Sequence, residues 1–470
     1  MRQKPSIDRR SKDDRSAETT EVQTDFDERF YSKKDQLYNK IDKTPLAPQL
    51  QPLRNALVDE KPPYCTGVLP AHYEDLILYY GKGEHDCSRI DFAHVSEEAL
   101  RHLSLTCDPA TFGLDKEDVL DETYRKAGKL DSAHFSTKLD VMSGLMDAVR
   151  FDLLPGHQSQ RQMKAELYKL NVYGESSFFK AHKDTPRGPT MFGSLVVILP
   201  APHEGGALLL RHGGAEWTFD SAQAVSKHST ENPLFAYAAF FSDVEHEVAT
   251  VSSGHRVTIT YNLYFDDEEN DPKVHTVKTF PPVESALSSS LKALLEDTTF
   301  LPKGGYIGFG LHHEYPTETQ PARTMTLSYL KKCLKGSDAV ILKVCQELNL
   351  DAQVQMFFKD DEIGLLLDRE PKLDDVVCDE EALWFHLKHY EKAKVVERDP
   401  SGYGSDDSDV PIDMEVLWAT KRTPFNQIKS AYGAYGNEVS TEYVYGQFCI
   451  IVHVGPVGSR STVSNVQGTE

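Results

Sequence analysis

LYKLNVYGESSFFKAHKD, residues 167–184, opens the part of the chain whose reading decides the fold. MFGSLVVILP (191–200), GGALLLRHGG (205–214) and LFAYAAFFSDVEHEVATVSSGHRVTITYNLYF (234–265) follow it. Each is built of short β-branched and aromatic runs bounded by Gly, Pro, Asn or Ser, the pattern of antiparallel strands joined by tight turns. Gly205-Gly206 and Gly213-Gly214 flank ALLLRH and mark turns that need positive φ. Three residues of the region stand out chemically: His182, Asp184 and His246. His182 and Asp184 are two apart at the end of one run, so a strand there points both side chains into one space. His246 falls between two later runs.

Two imidazoles and one carboxylate on one face of a metal leave the opposite face open, which suits non-haem Fe(II) chemistry. His-x-Asp alone says little, since among 18 His about one such spacing arises by chance. The surroundings add the weight. Arg256 comes ten residues after His246 in the run RVTITYNL, with Thr258 on its face, and Tyr173 sits nine residues before His182. Lys169, Asn171 and Tyr173 share one strand face opposite Tyr168, Leu170 and Val172, a polar face that suits a strand lining a wet site. The constellation Tyr173, His182-x-Asp184, His246, Arg256-x-Thr258 resembles the Fe(II)/2-oxoglutarate-dependent dioxygenases of the prolyl 4-hydroxylase-like branch. The run FSDVEHEVATVSSGHRVTITYNLYF in particular resembles fungal members.

The resemblance implies a double-stranded β-helix (jelly-roll) barrel with His182, Asp184 and His246 as iron ligands. It implies Fe(II) as metal, 2-oxoglutarate as co-substrate and O2 as substrate, with succinate and CO2 released as a protein side chain or small molecule is hydroxylated. Arg256 would pair with the distal carboxylate of 2-oxoglutarate, a bidentate task that suits its planar fork. Thr258 and Tyr173 would donate hydrogen bonds to the same molecule. Two other readings stay open: a catalytically inactive barrel acting as a binding or scaffold protein, and a cupin-like metal hydrolase or isomerase, which has no use for Arg256 and Tyr173 at these offsets. Arg187, in the loop DTPRGP beyond the pair, is a candidate substrate contact or a solvated rim charge. Asp243 is a candidate to orient a ligand imidazole, or a turn former.

Composition narrows the partners. A net charge of −22 with no long basic run argues against a phosphate-backbone partner. Seven scattered Cys, never spaced C-x-x-C, read as free thiols of a reducing compartment. No apolar run reaches the length of a membrane span, so a cytoplasmic or nuclear protein is expected. The substrate class and oligomeric state are not legible.

The predicted class is α+β, with a barrel at 166–266 braced by N-terminal helices. Residues 1–45, of mixed charge and little apolar content, read as a disordered tail. Residues 46–165 read as a mainly helical support region, with Ser96 capping SEEALRHLSLTC and a second helix in STKLDVMSGLMDAVRFDLL. Residues 267–470 read as a C-terminal α/β accessory domain, or a degenerate second barrel, with a mobile acidic loop near 397–411. His203, His212, His228 and His255 read as loop or surface residues. His312-His313 and His386-x-x-His389 suggest a rival metal site, but adjacent His on a strand point to opposite faces. GGYIGFG departs from the order of a nucleotide-binding loop.

Overall fold

In the computed structural model of the chain the described residues are 46–57, 61–83, 86–114, 117–142, 144–154, 161–188, 190–266, 282–318, 327–359, 363–369, 385–398, 411–422, 443–446 and 448–460. The tail expected at 1–45 and most of the loop expected at 397–411 lie outside them.

Strands β1 (Tyr64–Pro70), β2 (Arg125–Lys126), β3 (Gly128–Asp131), β4 (Met163–Tyr173), β5 (Phe178–His182), β6 (Met191–Ile198), β7 (Leu208–His212), β8 (Ala215–Phe219), β9 (Leu234–Phe241), β10 (Glu245–Val248) and β11 (Arg256–Phe265) form a jelly roll. Its larger sheet runs β1-β9-β6-β11-β4-β3 with Asp108–Pro109 at the edge, and its smaller sheet β8-β7-β10-β5-β2. Alternation explains the placement: Leu170 and Val172 of β4 enter the apolar core, while Asn171 and Tyr173, at the alternate positions, line a cavity. β9 is buried along its whole length, on both faces, as its unbroken apolar run requires. Gly205, Gly206, Gly213 and Gly214 all have positive φ, as the turns around β7 demand.

The region 46–165 is not mainly helical. Its α-helices are α1 (Gln51–Ala56), α2 (Glu97–Thr106) and α3 (Leu145–Leu153), and short strands alternate with them. Ser96 does cap α2, accepting from the Ala99 N–H at 3.2 Å. The second expected helix shrinks to α3, because Phe135–Thr137 is drawn into a sheet against Leu78–Tyr80. Leu100 and Leu103 of α2 and Leu145, Met146, Val149 and Leu153 of α3 are buried in the barrel's own core. Segment 46–57 departs furthest from expectation: Leu50 and Leu53 belong to a second core built by the C-terminal part. α4 (Ser221–Val225) covers the outer face of β9, where Val225 meets Ile198 and Ala236.

The C-terminal part has its own sheet. β12 (Gly305–Gly310), β13 (Asp351–Lys359), β14 (Ile363–Leu367), β15 (Lys394–Arg398), β16 (Val416–Thr420) and β17 (Phe448–Val454) lie in the order β15-β14-β13-β17-β12-β16. All neighbours are antiparallel except β12 and β16. GGYIGFG is thus part of a strand, β12, and not a phosphate loop. Helices α5 (Pro282–Glu296), α6 (Leu327–Cys333) and α7 (Gly336–Glu347) supply Leu287, Leu291, Leu330 and Val344 to this core. No helix among the described residues is long and apolar enough to cross a membrane.

Candidate active site

β5 and β10 are neighbours in the smaller sheet, and their register sets His182 opposite His246. Asp184 lies two residues beyond the end of β5. One Nδ1/Nε2 atom of each imidazole and one oxygen of the Asp184 carboxylate lie within 4.8 Å of one another, and all three residues are buried. The rings are fixed by the backbone: His182 Nδ1 bonds the Lys180 carbonyl at 2.8 Å and His246 Nδ1 the Val244 carbonyl at 3.1 Å. An Nδ1–H donated to a carbonyl leaves the Nε2 lone pair as the donor for a cation. The Phe179 ring stacks on His182 at 3.6 Å and the Phe240 ring lies 4.6 Å from His246. The Ser194 hydroxyl donates to Oδ2 of Asp184, while Oδ1 faces His246 Nε2 at 3.7 Å.

Arg256 and Thr258 start β11, and register puts them opposite Tyr173 and Asn171 of β4. All four line the same cavity as His182, Asp184 and His246. Arg256 is 1 % exposed, with its guanidinium carbon 5.5 Å from the Tyr173 ring centre. Its Nε donates to Ser221 Oγ at 3.1 Å, but its Nη2 is buried with no hydrogen-bond partner. Burial pushes its pKa below the ordinary arginine value. A buried guanidinium nitrogen left unpaired is costly, and an entering carboxylate removes that cost. The residues therefore fit the groups they would serve: a two-imidazole, one-carboxylate donor set suits Fe(II), and the open guanidinium edge suits one end of an organic diacid.

Lys169 and Arg187 were candidates from the sequence, whereas Tyr168, Arg125, Ser194 and Ser221 were not expected at the site. A bulge between Leu167 and Lys169 turns Tyr168 onto the cavity, although strict alternation assigns it to the opposite face. Arg187 packs over the Tyr168 ring at 4.3 Å and donates to its hydroxyl at 2.8 Å. Arg125 donates to Asn171 Oδ1 at 2.9 Å and lies 4.3 Å from the Phe179 ring centre. Lys169 is buried in the cavity wall, and burial, with Lys129 and Arg125 nearby, pushes its ammonium down to about 7. Ser194 was passed over, although a lone hydroxyl in an apolar strand is a signal that could have marked it. Ser221, on the far side of Arg256, left no mark.

The ring nitrogen of His246 turned away from the cavity bonds the Val244 carbonyl and not Asp243. The Asp243 carboxylate takes hydrogen bonds from His212 Nε2 at 2.9 Å, His313 Nδ1 at 3.1 Å and Lys335 Nζ. Burial alone would raise its pKa, but Lys335, His313 and His212 together hold it well below the usual carboxylate range. His212, read as a loop residue, and His313, read as half of a divided pair, therefore meet in one buried cluster.

Two sheets enclosing a candidate three-donor metal site beside a buried arginine define a jelly-roll barrel equipped to hold a metal ion and an anionic ligand. Residues 168–264 match the family model of the 2OG-Fe(II) oxygenase superfamily, so the chain carries a 2OG-Fe(II) oxygenase domain, with Fe(II) as its metal, 2-oxoglutarate as co-substrate and O2 as substrate. No curated protein matches the chain. Among solved structures, a Pseudomonas putida prolyl-4-hydroxylase is 15% identical and covers 46% of this chain and 99% of its own, with a TM-score of 0.25. A Trichoplax adhaerens prolyl hydroxylase, solved with a hypoxia inducible factor peptide fragment, is 17% identical over 50% of this chain and 100% of its own, at 0.27. A collagen prolyl hydroxylase of Paramecium Bursaria Chlorella virus-1 is 12% identical over 30% and 81%, at 0.21. At such scores these likenesses carry no argument, and the fungal likeness finds no support among them.

Proposed function

We propose that the chain is a hydroxylase of the prolyl 4-hydroxylase-like branch, acting on a protein side chain or a small molecule with release of succinate and CO2. The observation that supports this reading best is the orphaned Nη2 of Arg256, set in the same cavity as His182, Asp184 and His246. His182, Asp184 and His246 would hold Fe(II). Bound there, the metal supplies the redox chemistry that couples O2 and 2-oxoglutarate to oxidation of a C–H bond. Arg256 would grip the distal carboxylate, with the hydroxyls of Thr258 and Tyr173 donating to the same molecule. Phe179, Val196, Leu208, Phe240 and Val248 line the cavity and exclude water from the reacting atoms. Arg187, folded over Tyr168 of the cavity wall, would meet substrate there.

The test is to incubate the purified chain with Fe(II), 2-oxoglutarate and size-fractionated cell extract, measuring succinate and the gain of one oxygen by mass. Succinate formation lost in Asp184→Ala supports the reading. Stoichiometric iron with no 2-oxoglutarate turnover in any fraction would instead favour an inactive binding protein.

A further inference from the structure

The two segments carrying the candidate metal ligands are only loosely tied to each other. β10 pairs along its length with β7, but β5 and β10 pair with each other at Phe179–Val248 and His182–His246 alone, with the register broken between. Lys183 stands between His182 and Asp184, and as the odd residue it faces away from the cavity. There its Nζ meets Glu314 Oε1 of the C-terminal part at 2.7 Å. Asp243 stands three residues before His246, with a side chain 0% exposed, and takes Lys335 Nζ, His313 Nδ1 and the Glu314 N–H. The gripping turn is itself braced: Asp338 accepts from the N–H groups of His312 and His313 at 2.8 and 3.0 Å and from the Tyr315 hydroxyl at 2.8 Å.

We propose that the C-terminal part is a working piece of the metal centre, in which Glu314, His313 and Lys335 are positioning residues that set the spacing of the ligand segments through Lys183 and Asp243. The inference rests on the metal-centre reading above. Although His212, Asp243 and His313 could be taken for a second metal site, the Lys335 ammonium already supplies the positive charge on that carboxylate. Groups that orient metal ligands from outside typically change metal affinity about 10–100-fold when removed.

Co(II), whose visible absorption reports ligand geometry, is the probe. Full-length protein is titrated with Co(II) as wild type, Glu314→Gln, Lys183→Met, Lys183→Arg and the charge-neutral pair Asp243→Asn/Lys335→Met. Lys343→Met, which breaks the Lys343–Glu284 ion pair inside the C-terminal part, is the control for lost stability alone. Expected is roughly tenfold or greater loss of Co(II) affinity with a shifted band in Glu314→Gln, Lys183→Met and the pair. Lys183→Arg and Lys343→Met should keep the wild-type affinity and band. Unchanged affinity and spectrum in Glu314→Gln and Lys183→Met, whatever happens to Tm, overturn the inference while the metal centre stands. Failure of the wild type to bind Co(II) overturns the metal-centre reading, and this inference with it.

Discussion

Arg256 shows how one side chain divides its labour. Nε is spent on Ser221 and holds the group still, while Nη2 is left without a partner in the cavity. Replacing it by Lys keeps a charge but loses the planar fork, so Arg256→Lys should raise the apparent KM for 2-oxoglutarate about tenfold or more, as the loss of roughly 1.5–3 kcal/mol from a charged hydrogen bond requires. An unaltered KM in steady-state succinate assays would rule out the clamp. Ser221→Ala should move KM the same way by less, because the guanidinium stays but is no longer held. Asp184→Ala should abolish stoichiometric Fe(II) binding, and a variant that retained the metal would remove Asp184 from the donor set. That Tyr173, His182, Asp184, His246, Arg256 and Thr258 share one cavity was legible, because residues two apart in a strand, as in His182-x-Asp184 and Arg256-x-Thr258, keep a common face and the family resemblance joined the pairs. Ser221 was not, because its value comes from a contact 35 positions away along the chain.

At the scale of elements, the strands and turns were read from alternation and glycine, and the misreadings have local causes. Tyr168 reaches the cavity through a bulge, which inserts a residue without any mark in the hydrophobic pattern. Leu50 and Leu53 carry a helix whose apolar face says that it packs, but not against which core. The turn before β7 shows how closely backbone and site are fitted. Gly206 has a φ of +68°, and a Cβ there would lie 2.9 Å from Arg256 Cδ and from Val251 Cγ2. Its carbonyl also accepts from Ser221 Oγ at 3.2 Å. Gly206→Ala should cost about 1–3 kcal/mol in unfolding free energy and raise the KM for 2-oxoglutarate through the displaced Arg256. Loss of stability with KM untouched would show that the turn serves the fold alone.

For the molecule as a whole, the buried junction around Asp243 should govern acid stability. Burial pushes the His313 imidazole down to about 3 from its ordinary 6.5, with Asp243 opposing and His212 and Lys335 adding to the shift. Between those values the unfolded chain binds a proton that the folded one refuses, so this contribution is complete above pH 6.5 and falls as the pH drops toward 3. Asp243, held below its usual range, steepens the loss further at the acid end. Among the described residues, Asp243, His212, Lys335 and His312 face the His313 ring, and Asp338 accepts from its backbone N–H. In His313→Asn, which keeps a donor for Asp243, unfolding temperature should depend less on pH from 6.5 down to about 4. Parallel curves for the variant and the parent protein would refute the assignment. Neither His212 nor His313 could be placed here from the chain alone, since their meeting depends on how two separately built cores dock.

Because α1 is packed into the same core as the sheet formed by residues 305–454, the oxygenase barrel is a loop spliced into another body. Tension applied between Leu50 and Val454 would run through that host core and leave the barrel slack until the host ruptured. A molecule stretched between two attachments would thus keep its metal site intact until the core that also braces it gave way.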